Sequence, residues 1–211
     1  MATRIARSRL RPRKEPSQPR SARMVEAIVE AAARILETRG LAGFNTNAVA
    51  ERAGVSVGSL YQYFPSKEAL IAALSGRERA RLAADVADAA RPAAGLTLEG
   101  ALRRLIRAAI HRQLARPELA RVLDFEEQRL VLDEADRSVT RDIAREIAAL
   151  LAVHRSHIRV TDFEEAAFDL IAMTRALIDA ATARGQIDPG ALEGRVTRAA
   201  LGYLGGRANV R

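Results

Sequence analysis

Residues 50–70 read AERAGVSVGSLYQYFPSKEAL, and two incompatible chemistries compete for them. Gly54-Val55-Ser56-Val57-Gly58 fits the G-x-S-x-G pattern of a serine-hydrolase elbow, in which Ser56 would be the nucleophile. Ala50, Gly54 and Leu60 instead stand at helix-turn-helix spacings, in which Ser56 would cap a helix facing DNA. An elbow needs a strand running into its turn. The residues before Gly54 are TNAVAERA, with Val49 the only β-branched residue after Thr46, so they read as helix. A hydrolase also needs a histidine and an acid later in the chain. His111, His154 and His157 follow, but no motif marks any of them as a base.

The helix-turn-helix accounts for more of these residues. Two helices that cross closely need a small residue at the contact, which is Ala50, and a turn residue tolerant of positive φ, which is Gly54. Val55 and Leu60 anchor the second helix, and the Ser56 hydroxyl accepts from amides of its first turn. Val57, Gly58, Ser59, Gln62 and the tyrosines Tyr61 and Tyr63 are expected on its exposed face. Small residues at the start of that helix allow close approach to base edges, and Gln62 both donates and accepts. A plain helical hairpin in a bundle would leave Tyr61 and Tyr63 without a purpose.

Composition bounds the rest. The chain has 211 residues, 48% of them hydrophobic but only 4% aromatic, so its core is built from Ala, Leu, Val and Ile and favours helix. It has no cysteine, which excludes disulfides, thiolate catalysis and cysteine zinc sites. The formal charge of +8 is unevenly spread. Residues 1–23 carry eight basic side chains against Glu15 alone, a net +7. The remaining 188 hold 26 basic and 25 acidic, a net +1. Pro12, Pro16 and Pro19 break any amphipathic helix in this arm, which favours a disordered DNA-tracking segment over a transit peptide. No stretch approaches the ~20 apolar residues of a membrane span. The most apolar one, AAFDLIAMTRALIDAATA, is cut by Asp169, Arg175 and Asp179.

Helical spacing is continuous after the arm. A first helix runs from a Ser21 cap to Gly40, a second from Asn45 to Gly54, a third from Ser56 to Pro65, and a long fourth from Ser66 towards Pro92. Five more are expected over 98–116, 117–136, 139–158, 162–184 and 189–206, separated by Thr97, Pro117, Ser138, Thr161 with Asp162, and the Gly185–Pro189 turn. The fold class is therefore all-α. The expected domains are an arm (1–20), a helix-turn-helix domain (21–81) and a helical body (82–211).

Residues 23–81 resemble the DNA-binding domain of the tetracycline-repressor (TetR) family of bacterial transcriptional regulators. The likeness rests on EAIVEAAARILETRG and on TNAVAERAGVSVGSLYQYFPSKEALIAAL. It implies a homodimer that places one recognition helix per subunit in successive major grooves of a palindromic operator in double-stranded DNA. By position, Asn45, Thr46 and Asn47 would meet phosphate or a base edge. Ser56, Val57, Gly58, Ser59 and Gln62 would face the groove. Tyr61 and Tyr63 would bond phosphates, and Lys67 would add a charge. Phe64 and Leu60 are core. Unlike many such proteins, this one has no cation near Ala48, and residues 24–80 hold six basic and six acidic side chains. The arm is therefore expected to supply most of the electrostatic affinity.

The resemblance further implies a small-molecule pocket in the body and a dimer interface on its last two long helices. Candidate pocket residues are His111, Gln113, Phe125, Phe163, Phe168 and Met173, each of which could equally be core. The interface is expected on Phe168, Ile171, Leu177, Ala181, Val196, Ala200, Tyr203 and Leu204, from their apolar spacing. Glu126 with Glu127, and His154 with His157, read as groups on solvated helix faces, so no metal or cofactor is expected. The leading function is a cytoplasmic transcriptional regulator, a repressor released by an unidentified effector. The alternative is a DNA-binding regulator without an effector, whose body dimerises or binds a protein. An enzyme comes third, since no catalytic constellation emerges.

Overall fold

The computed structural model describes residues 19–91, 95–129, 134–185 and 188–205; most of the basic arm lies outside them. Among the described residues there are nine α-helices and no strand. They are α1 (Pro19–Arg39), α2 (Thr46–Ala53), α3 (Val57–Tyr63), α4 (Lys67–Ala90), α5 (Leu98–Ala115), α6 (Pro117–Arg129), α7 (Glu134–Val153), α8 (Phe163–Ala183) and α9 (Pro189–Leu204). α1 starts at Pro19 rather than after Ser21, because proline's fixed φ suits a first helical turn.

The chain forms two compact units. The first contains residues 19–79 together with α6. Its core joins Ile28, Ile35 and Leu36 of α1, Val49 and Ala50 of α2, Leu60 and Phe64 of α3, and Leu70 and Leu74 of α4. α6 adds Leu119, Val122 and Leu123, an i, i+3, i+4 stripe that packs with α1. The sequence reading placed this segment in the C-terminal body. Its stripe was visible, but periodicity does not say which partner a stripe meets. Glu126 continues the stripe one turn on and is buried, which corrects the solvated face expected for it. The Glu127 side chain lies outside the described residues.

The second unit contains residues 80–115 and those from 137 onward. α5, α8 and α9 pack against one another around Leu102, Ile106, Leu170, Val196 and Leu204. Arg103 and Arg107 of α5 reach Glu193 of α9 at 3.4 and 2.8 Å. The Arg107 hydrogen bond holds the Glu193 carboxyl below its usual range against the opposing effect of burial. Thr97 and Asp162 cap α5 and α8 as their positions suggested, and Asp188, within the Gly185–Pro189 turn, caps α9. Ser138 does not cap a helix; it lies inside α7, which starts four residues earlier. α7 ends at Val153, so His154 and His157 belong to a following 3-10 turn and not to a helix face. His154 is buried, correcting the solvated position expected for it.

Candidate nucleic-acid interface

The local geometry of residues 45–67 follows from a few capping and turn residues. Asn45 accepts a hydrogen bond from the Ala48 amide at 2.9 Å and starts α2. Ala50 is buried at the contact between α2 and its neighbours. Gly54 ends α2 at φ 67°, and its amide bonds back to the helix, as does that of Val55 to the Ala50 carbonyl at 3.0 Å. A side chain at Gly54 would meet nothing within 4 Å, so backbone conformation alone demands glycine there.

Ser56 is a cap. Its Oγ accepts from the Ser59 amide at 3.0 Å and lies 2.8 Å from the Ser59 hydroxyl. A helix, α2, runs into the turn before it, where an elbow would have a strand.

α3 divides into two faces. Leu60, Tyr63 and Phe64 are buried, at the i, i+3, i+4 spacing of one helical stripe. Val57, Gly58, Tyr61 and Gln62 are exposed and Ser59 is half-buried. Tyr63 therefore corrects an expectation: with 7% of its surface exposed it is core. The reason is angular. Residues two apart on a helix point about 200° apart, so Tyr61 and Tyr63 cannot share the outer face. Tyr61 is outward, 40% exposed, and its phenol oxygen lies 3.0 Å from Oγ1 of Thr46 at the start of α2. This bond joins the two helices of the motif, a tertiary contact that residue type alone did not signal. Asn47 and Lys67 are exposed at the first turns of α2 and α4, and Ser66 caps the latter by accepting from the Ala69 amide.

Behind this face, cations are committed to internal pairs. Arg77 of α4 meets Glu26, Glu30 and Glu78 at 2.9 to 3.1 Å. Arg116, just before α6, pairs with Glu30 and Glu37 of α1. Burial pushes Glu30 up, but Arg116 and Arg77 together outweigh it and hold the carboxyl low; at Glu37 the Arg116 hydrogen bond dominates in the same direction. Arg34 also pairs with both glutamates. Arg34 and Arg77 thus serve α1 and α4 rather than the outer face of α3.

The residues proposed from sequence for the body fall in both units. Phe125 belongs to α6 and the first unit and is 53% exposed, while the other pocket candidates belong to the second. His111 on α5 is exposed, Gln113 is half-buried, and Phe163 and Met173 are half-buried on α8. Phe168 is exposed. Of the interface set, Ala181, Val196, Ala200 and Leu204 are buried within the subunit's own core. Ile171 and Leu177 pack at its edge. The i, i+4 stripe 196–200–204 is the inner face of α9, so the outward face must be sought elsewhere. On α8 it bears Phe168, Ala172 and Ala176, and on α9 Gly202 and Tyr203. The Tyr203 hydroxyl donates to Asp169 across these helices at 2.5 Å, which pushes the phenol up to about 12.

Among the described residues no group of three or more His, Asp or Glu side chains is placed to hold a metal ion, and no helix is long and apolar enough to cross a membrane.

A short capped helix, a left-handed glycine and a second helix anchored on one side define a helix-turn-helix module, here followed by a helical body. The chain belongs to the tetR family of bacterial regulatory proteins. The family's DNA-binding model, "Bacterial regulatory proteins, tetR family", matches residues 28–74. "Tetracyclin repressor-like, C-terminal domain" matches residues 97–204, just over half of the chain. The HTH-type transcriptional repressor KstR of Mycolicibacterium smegmatis is 46% identical over 55 residues, 26% of this chain and 27% of that protein. The matched part thus spans about a quarter of that relative's length. The fatty acid degradation regulator FadR of Bacillus halodurans has the same fold, with a TM-score of 0.70 at 18% identity over 92% of this chain and 100% of that one. The flavonoid-responsive regulator FrrA superposes with a TM-score of 0.61 at 28% identity, covering 87% of this chain and 95% of that one.

Proposed function

We propose that the protein is a site-specific DNA-binding repressor of the bacterial cytoplasm, acting as a homodimer on a palindromic operator and released by a small-molecule effector. The observation that carries this is the two-faced α3: Leu60, Tyr63 and Phe64 fix it from below, and Val57, Gly58 and Gln62 stay uncovered above. That outer face enters the major groove, where Gln62 and Ser59 bond base edges and Gly58 permits close approach. Asn47, Lys67 and the Thr46–Tyr61 pair meet phosphates at its rim. The name of KstR as a repressor supports the sign of regulation, and that of FrrA as flavonoid-responsive supports an effector.

Dimerisation falls to the outward face of α8 and α9. Phe168, Ala172, Ala176, Gly202 and Tyr203 allow close helix packing against a second copy. Sedimentation and footprinting test the reading together. The expected result is a dimer in solution protecting two half-sites about one helical turn apart. A monomer, or a single protected half-site, contradicts it.

A further inference from the structure

α3 carries no cation. From Val57 to Tyr63 its side chains are Val, Ser, Leu, Tyr, Gln and Tyr, with Gly58 among them. The commonest specific contact in the major groove, an Arg or Lys on guanine O6 and N7, is therefore unavailable to this helix. What it does expose is an aliphatic side chain. Val57 is 38% exposed at the first position of α3. Leu60, Tyr63 and Phe64 already fill the inner stripe, so Val57 is surplus to the core.

Its setting restricts what it can touch. Gly58 beside it adds no side chain, and a Cβ there would meet only the Ser56 hydroxyl at 3.8 Å. The Ser56 and Ser59 hydroxyls bond each other at 2.8 Å, which leaves one hydroxyl hydrogen for a base edge. Tyr61, one turn along the same flank, has its hydroxyl held by Thr46. A duplex approaching this end of α3 thus meets two methyl groups flanked by hydroxyls that each hold one partner within the protein. The major groove offers one apolar group to match them, the C5-methyl of thymine.

We propose that Val57 is a specificity-determining residue that reads a thymine methyl in each operator half-site. The assignment rests on the operator-binding reading above and deepens it: the partner is a half-site with an obligatory thymine opposite the start of α3. Removing one methyl from a packed apolar contact weakens binding by about fourfold, or by roughly fifteenfold when both half-sites are changed.

The test uses the full chain. An operator is selected from a random-sequence duplex pool, and each thymine is replaced in turn, symmetrically in both half-sites, by deoxyuridine, which deletes only the C5-methyl. Affinity is read by fluorescence anisotropy for the wild type and for Val57→Ala, with melting curves confirming that the variant is folded. The expected result is one position where uracil weakens the wild type by roughly fifteenfold and Val57→Ala by less than twofold. A selected operator with no uracil-sensitive position, or one whose sensitivity survives in Val57→Ala, overturns the assignment and leaves the operator reading standing. If no sequence is enriched at all, the operator reading fails and the assignment falls with it.

Discussion

The side-chain oxygens of Thr46 and Tyr61 lie 3.0 Å apart, joining the first turn of α2 to the middle of α3 across fifteen residues of sequence. By position, Thr46 was expected to meet phosphate or a base edge and Tyr61 to bond phosphate. Paired, they tie α3 to the start of α2. Tyr61→Phe and Thr46→Val should each lower unfolding free energy by about 0.5–1 kcal/mol, because each removes one exposed hydrogen bond. The double variant should lose no more than either single one. Urea titrations check this, and additive losses would show that the bond contributes nothing.

Gly54 and Ala50 should respond to substitution by different routes. Gly54→Ala strains a left-handed residue without any clash and should cost about 1–2 kcal/mol. Ala50→Leu puts three extra carbons where 1% of the surface is exposed, and overpacking of that kind costs roughly 1–3 kcal/mol. Because the insertion drives α2 away from its neighbours, operator affinity should fall with stability for Ala50→Leu. For Gly54→Ala, affinity should recover once the protein is assayed well below its melting temperature.

Arg116 links the start of α6 to α1 through Glu30 and Glu37. Arg116→Ala leaves two neighbouring carboxylates without that cation and should cost about 1–2 kcal/mol near neutral pH, allowing for partial solvent exposure. The folded values of both glutamates are depressed, so the stability they contribute is present above the unfolded carboxylate range and lost as pH falls through the folded values. The gap between wild type and variant should therefore close below about pH 4.5. A constant gap down to pH 3 would mean that packing, not charge, is what Arg116 supplies.

His154 gives a second pH dependence, with a different window. Burial lowers its value, and the nearby His157 ring adds to this. The unfolded chain takes up this proton more readily than the folded one, so stability should fall as pH drops below about 6.5. His154→Gln should flatten the melting temperature between pH 7 and 5.5, apart from the loss shared with other groups. An unchanged slope would remove His154 as its source.

Local signals were legible in the sequence, and nonlocal ones were not. Asn45, Ser56 and Asp162 act on amides three residues away, and Gly54 acts on its own backbone, so a linear reading finds them. Tyr63 was misplaced although Leu60 and Phe64 beside it were assigned to the core; the same helical angle puts all three inside. α6 shows the opposite limit. Its Leu119, Val122 and Leu123 announce a buried face, but only tertiary structure shows that this face meets α1. Val196, Ala200 and Leu204 show the same limit, since their periodic stripe is buried in the subunit's own core.

The basic arm bears on affinity through salt. If four of its cations per subunit touch phosphate, deleting residues 2–18 should flatten the slope of log K against log salt by about 7 for a dimer. An unchanged slope would place the electrostatic affinity elsewhere.

The central claim, site-specific DNA binding through the outer face of α3, is tested most directly by fluorescence anisotropy on the DNA flanking the protein's own gene. Measurements at two salt concentrations are compared with a scrambled duplex. Tight binding is expected at both salts, with a preference of ~10³ or more over scrambled DNA, lost on Gln62→Ala combined with Val57→Ala. Weak binding that disappears with salt and ignores sequence would contradict it, leaving the arm's attraction to phosphate as the only interaction.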